Sequence, residues 1–254
     1  MYVHSINPVL LSIGPVKVMY YSLAYIIGAV ISYFIIKKLA RERKLGMGRD
    51  DVLNYVTYLL AGIIIGGRLG YILFYNLKYY LNNPLEVFAV WLGGMSFHGG
   101  LIGAVTAAYI FCRKYRIDFW KIADITVIPV AIGLFLGRIG NFINGELYGR
   151  ITDVPWAVKF KGAECYRHPS QLYEALKNAF IFSALWALKD KKMPPGFLFW
   201  LFVAMYGTLR FIIEFSRQPD AHIGFFLHLT RGQWLCLAMI LVEAFMFYRI
   251  KRKW

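Results

Sequence analysis

The stretch GRIGNFINGELYGR, Gly137 to Arg150, sets an arginine, two asparagines and a glutamate among glycines directly after an apolar run. Arg138 and Asn141 are three residues apart and share a helix face that Asn144 and Gly145 continue. A guanidinium binds phosphate oxygens through two parallel N–H bonds, so this face suits an anionic ligand. Gly145 and Gly149 free the backbone to bend and to turn N–H groups toward the same oxygens. Gly133, Gly137 and Gly140 form a neighbouring stripe of small residues that lets another helix approach. The plainer alternative pairs Arg138 with Glu146 and spends the asparagines on capping a helix end.

A second set lies in YGTLRFIIEFSRQPD, where Tyr206, Arg210, Glu214 and Arg217 recur along one stripe of a helix. Arg210 and Glu214 either neutralise each other, or Glu214 steadies the guanidinium while Arg210 faces a ligand. Arginines on two different helices make a clamp for a phosphodiester. In GGMSFHGGLIGA, His98 precedes two glycines that remove steric cover, which makes it a candidate base beside the ordinary reading as a structural histidine. Arg68, within the series Gly62, Gly66 and Gly70, either meets the ligand or holds a carbonyl or carboxylate. Tyr20 and Tyr21 fit an interfacial aromatic belt. In RHPSQLYE, Ser170 reads as a helix N-cap ahead of Tyr173 and Glu174, in a segment that also suits the mouth of a site. His4, His222 and His228 follow no pattern. Cys112, Cys165 and Cys236 are scattered, with neither disulfide nor metal spacing, and no metal or other cofactor is expected.

The elements that carry these residues are membrane helices. Hydrophobic residues are 59% and charged residues 17% of the 254, against about 25% charged in a soluble domain. The apolar residues come in separate runs, which predicts an all-α polytopic membrane protein, one domain over residues 1–254. Seven spans are expected, near Val18–Ile36, Asn54–Tyr75, Met95–Phe111, Ile122–Ile139, Tyr173–Leu188, Gly196–Phe215 and Gln233–Tyr248. Val87–Trp91 and Leu147–Trp156 read as interfacial or loop segments. The net charge of +15 is not a nucleic-acid footprint, because Lys and Arg cluster in short loops such as KKLARERK, CRKYRIDFWK, KDKKMPP and YRIKRKW. Those alternate loops mark the cytoplasmic side. The N-terminus is then outside and the C-terminus inside, with a short extracytoplasmic segment around 147–170. MYVHSINPVLLSIGP lacks a basic n-region and a cleavage site, so no removable signal peptide is expected.

An ionisable residue inside a span costs several kcal/mol and is a functional candidate by default. Lys177 is expected to snorkel to the interface. Arg68, Arg138 and Arg210 fall in the outward-leaning halves of their helices, and three cations at one depth need an anion. An arginine-lined hollow in the lipid zone suits a lipid phosphate.

GRIGNFINGELYGR is very similar to the signature of bacterial prolipoprotein diacylglyceryl transferases. SIGPVKVMYYSLAY, GGRLGYILFYN, GGMSFHGGLIG, RHPSQLYE and YGTLRFIIEFSRQPD surround it in that family's order, so the resemblance covers almost the whole chain. It implies transfer of the diacylglyceryl group of phosphatidylglycerol to the lipobox cysteine thiol in a prolipoprotein signal peptide. The products are a thioether and glycerol-1-phosphate. It implies a multi-pass protein of the bacterial cytoplasmic (inner) membrane whose active site faces outward. Arg138 and Arg210 would bind the phosphate and His98 would act as general base. Tyr21, Asn141, Glu146, Gly149 and Tyr206 match positions linked to lipid binding or activity, and Glu214 and Arg68 join the candidate lipid-binding set. The segment between Arg150 and His168 is shorter than in some relatives. The competing expectation is an anionic-lipid or phosphate transporter or flippase, which predicts charges reaching both membrane faces and often an internal repeat. A second is an assembly subunit whose charges only pair helices.

Overall fold

A group of polar and charged side chains is buried in this molecule while many large apolar ones face outward, which a soluble domain avoids. Ile63, Ile64 and Ile65 are exposed on one helix and Leu241 and Phe245 on another, whereas Gln171, Glu174, Lys177 and Asn178 are buried. A hydrocarbon solvent requires this: exposed apolar surface costs nothing in lipid and an exposed charge costs several kcal/mol.

A computed structural model of the chain describes residues 1–13, 16–218 and 229–253. In order it has β1 (Tyr2–Val3), β2 (Val9–Ile13), β3 (Val16–Met19), α1 (Tyr20–Glu42), α2 (Arg49–Tyr75), α3 (Leu77–Asn82), α4 (Phe97–Tyr115), α5 (Phe119–Asn144), β4 (Val158–Lys159), α6 (Ser170–Leu188), α7 (Phe197–Ile213) and α8 (Arg231–Lys253). The protein is an all-α membrane protein; among the described residues there are two small sheets, and five helices are long and apolar enough to cross a membrane. These are α1, α2, α5, α7 with the turn after it, and α8. The polar first turns of α6 and the glycines, His98 and terminal cations of α4 dilute the apolarity of those two helices. Val18 lies in β3 rather than in the first helix, because Val16–Met19 pairs antiparallel with Val9–Ile13. The expected outer loop containing His222 and His228 lies in 219–228, outside the described residues, as do Gly14 and Pro15.

The backbone forms two compact units, Met1–Ile35 with Ala123–Trp254, and Ile36–Ile122. In the second unit α2 packs on α4 through glycines. A Cβ on Gly70 would lie 2.7 Å from the Gly99 Cα, and one on Gly66 2.8 Å from the Gly103 Cα. Only small residues allow backbones this close, and in lipid such close packing supplies the attraction that hydrophobic burial supplies in water. Ser96 caps α4 by accepting from the Gly99 N–H at 3.2 Å, and its own N–H donates to the Gly67 carbonyl at 2.8 Å.

In the first unit, α7 packs against α6 and α8. Buried Asp124 of α5 caps α7, its two carboxylate oxygens each accepting at 2.9 Å, one from the Gly196 N–H and one from the Phe199 N–H. A carboxylate at a helix N-terminus satisfies orphan donors and the helix dipole together. Beyond α5, β1 pairs parallel with β4 over a small core of Val158, Phe160 and Ala163, joined by Phe142 and Tyr148. His4 is part of this head, with its ring edge-on to Phe142 at 5.4 Å.

Candidate active site

The polar end of α5 first closes the helix. Gly145 adopts φ +70°, the left-handed conformation that glycine enters without penalty. Its N–H donates to the Phe142 carbonyl at 3.0 Å and the Glu146 N–H to the Asn141 carbonyl at 3.1 Å, which is a Schellman cap. The cap folds Glu146 back onto its own helix, where Oε1 accepts from Asn141 Nδ2 at 2.8 Å and Asn144 Nδ2 at 3.2 Å.

The following loop is then latched on two sides. Gln171 Nε2 donates to the Glu146 carbonyl at 2.6 Å and Ser170 Oγ to the Leu147 carbonyl at 3.0 Å. Ser170 is therefore the first residue of α6, with Pro169 at the cap position, and not the N-cap that its sequence context suggested. The Gly149 N–H donates to the His168 carbonyl at 2.8 Å, and the Arg150 N–H to the Ser216 carbonyl at 2.9 Å. The N–H groups of Gly145 and Gly149 are thus spent on carbonyls, and neither is turned outward as a phosphate donor. A Cβ on Gly149 would run into the Ser216 carbonyl and come within 2.8 Å of the His168 Cβ. Gly149→Ala is expected to cost about 1–3 kcal/mol through overpacking, read as a lower unfolding midpoint in detergent. Beside this latch, His168 Nδ1 lies 3.0 Å from the Tyr173 hydroxyl, which also accepts from Trp156 Nε1 at 2.7 Å. Burial pushes the His168 imidazole below its ordinary value.

Below the latch stands a residue that the motif reading gives no role of its own, only a place in a segment suited to the mouth of a site. Glu174 of α6 has no solvent exposure and gathers three cations. Lys177 Nζ lies 2.7 Å from Oε2, Arg210 Nη1 bonds Oε1, and Arg138 Nε approaches Oε2 at 3.9 Å. Arg210 also pairs with Glu214 at 2.7 Å, and Arg217 with Glu214 at 3.6 Å. Thr230 Oγ1 donates to the other Glu214 oxygen at 3.0 Å. The i,i+4 pair along α7 forms as its spacing indicated, but Arg138 turns to Glu174 rather than to Glu146. Lys177 does not snorkel. It is buried beside Glu174, with Nζ 3.6 Å above the centre of the Tyr206 ring, because a carboxylate one turn earlier offers a partner that the interface need not supply.

Four cations here face two carboxylates, leaving two positive charges in excess. Arg210 is held by both carboxylates. Arg138 is not: 3.9 Å exceeds hydrogen-bond reach, its guanidinium has no hydrogen-bond partner among the described residues, and its side chain is 21% exposed. Nearby, the Tyr21 ring packs where a Cβ on Gly140 would sit, and its hydroxyl lies 2.7 Å from that of Tyr25.

The other two candidates belong to the unit Ile36–Ile122. Arg68 is buried and donates to the carbonyls of Glu86 (2.5 Å), Val87 (3.0 Å), Gly93 (2.5 Å) and Gly94 (3.3 Å). It fastens the segment that leads into α4. His98 is the second residue of α4 and is exposed, with its ring edge-on to Phe97 at 5.7 Å. Among the described residues no group of three or more His, Cys, Asp or Glu is arranged to hold a metal ion.

A family model described as prolipoprotein diacylglyceryl transferase matches residues 8–249. A protein of Geobacter sulfurreducens named phosphatidylglycerol–prolipoprotein diacylglyceryl transferase is 47% identical over 98% of this chain and 96% of its own length. Proteins with the same name from Desulfotalea psychrophila (45% identical; 98% of this chain, 95% of theirs) and Rickettsia rickettsii (44%; 95% and 96%) are similar throughout.

Proposed function

The chain belongs to the prolipoprotein diacylglyceryl transferase family, and from that premise we propose that the cations around Glu174 receive the phosphate of phosphatidylglycerol. The protein is an enzyme that transfers the diacylglyceryl group from phosphatidylglycerol to prolipoproteins, the first step of lipoprotein lipidation. The acceptor in this reading is the thiol of the lipobox cysteine in the signal peptide. Its sulfur attacks the glycerol carbon bonded to the phosphate oxygen. The C–S bond forms as the C–O bond breaks, the thiol proton passes to a base, and glycerol-1-phosphate leaves.

The charge change explains the residues. A phosphodiester carries one negative charge and the departing monoester carries up to two, matching the two positive charges in excess around Glu174 and Glu214. The observation that carries the reading is the Arg138 guanidinium, without a hydrogen-bond partner among the described residues, beside the carboxylate-held Arg210. Glu214 fixes the fork of Arg210, and Tyr206 lies on the same stripe under Lys177. Asn141 and Glu146 shape the end of α5, Gly149 latches the loop, and Tyr21 lines the same end of the helix. His98 is the general base for the thiol. Arg68 positions the segment that carries it.

The site faces away from the cytoplasm in the bacterial cytoplasmic membrane, a reading supported by the Lys/Arg-rich alternate loops. The transporter reading is not favoured, since the relatives are named as transferases. Purified protein incubated with phosphatidylglycerol vesicles and a lipobox peptide should release glycerol-1-phosphate and yield a peptide heavier by one diacylglyceryl unit. Lipid movement between leaflets without those products would return the transporter reading to favour.

A further inference from the structure

Glu174 has two carboxylate oxygens and three suitors. Arg210 bonds Oε1, Lys177 sits 2.7 Å from Oε2, and Arg138 Nε stands off the same Oε2 at 3.9 Å. The Lys177 ammonium is held on two sides, by the carboxylate and by the Tyr206 ring 3.6 Å from its Nζ. A buried lysine on a helix in lipid is costly to keep. Neutralising Glu174 does not require it, since the Arg210 guanidinium already bonds that carboxylate.

We propose that Lys177 is a positioning residue: its charge, 2.7 Å from Oε2 of Glu174, offsets the pull of that oxygen and repels the Arg138 guanidinium standing 3.9 Å from it, so the Arg138 fork stays available to the lipid phosphate. The inference rests on the reading that Arg138 meets the phosphate. Without Lys177, Oε2 would be bare in a low-dielectric setting, and a shift of about 1 Å would bring Arg138 into a charge-assisted hydrogen bond. The arginine would then be tied up by the protein's own carboxylate.

The test uses the full-length protein in phosphatidylglycerol vesicles with a lipobox peptide. Lys177→Met, which removes the charge and keeps the length, is expected to raise KM for phosphatidylglycerol about tenfold and leave KM for the peptide unchanged. A merely structural role would change both together. Combining Lys177→Met with Glu174→Gln should add nothing to Glu174→Gln alone, because a neutral amide at position 174 no longer competes for Arg138. An unchanged KM for the lipid, an equal rise for the peptide, or additive effects in the double variant would each overturn the inference. If Lys177→Met does not fold, the double variant against Glu174→Gln decides: equal lipid KM supports the role and a higher one refutes it. Arg138→Lys separates the two readings. If it leaves kcat/KM for the lipid unchanged, the phosphate reading itself fails. If it lowers kcat/KM while Lys177→Met leaves the lipid KM unchanged, only the role of Lys177 falls.

Discussion

Arg138→Lys should lower kcat/KM for diacylglyceryl transfer by roughly 10²–10³, the usual loss when one donor to a developing oxyanion is removed. The substitution keeps the charge, so a simple ion-pairing role in helix assembly would survive it. A phosphate clamp would not, because an ammonium lacks the planar fork that meets two oxygens at once. The geometry makes the fold an unpromising place to look for the loss. Arg138 is partly exposed and its one carboxylate contact is 3.9 Å, so little native bonding is given up. The measurement is steady-state transfer to a lipobox peptide, with unfolding in detergent as the control. A variant with parental kcat/KM would remove Arg138 from phosphate binding.

His98→Ala is expected to reduce kcat by about 10²–10⁴, the range for a positioned general base. His98 is exposed in the first turn of α4, and its ring contact is with neighbouring Phe97, so stability should change by less than about 0.5 kcal/mol. The pH dependence separates a base from a binder. A free thiol ionises near pH 8.5, and above that pH the peptide supplies thiolate without help. The gap between variant and parent should therefore be widest at neutral pH and narrow as the pH rises past about 8.5. Full activity across the pH range would strike His98 from the mechanism and leave the guanidinium field to ionise the thiol.

Some of this architecture was readable along the chain because it is local. The Arg210–Glu214 pair follows from i,i+4 spacing. The bend at Gly145 follows from a glycine after a polar helix end. The Gly62, Gly66 and Gly70 stripe announces a close helix contact, and its partner proved to be the Gly99 and Gly103 face of α4. Glu174 reads along the chain only as part of a segment suited to the mouth of a site, because two of the cations it gathers come from α5 and α7, far away in sequence. A signal was present: a carboxylate three residues before a lysine, both within a span.

The amino-acid sequence by itself determined the solvent of this protein, since separate apolar runs can only be satisfied in lipid. It also determined the family, since its motifs are long and ordered, and which faces of its helices are polar. Only the tertiary structure decided which charge meets which. The sequence places Arg138 and Arg210 around an inward hollow and sends Lys177 to the interface, but the partner of each is set by how α5, α6 and α7 pack. Removal from water makes that choice matter: a cation in lipid must find a carboxylate or a ligand, and among the described residues two carboxylates are shared by four cations, with Arg138 at 3.9 Å and Arg217 at 3.6 Å standing beyond hydrogen-bond reach of theirs.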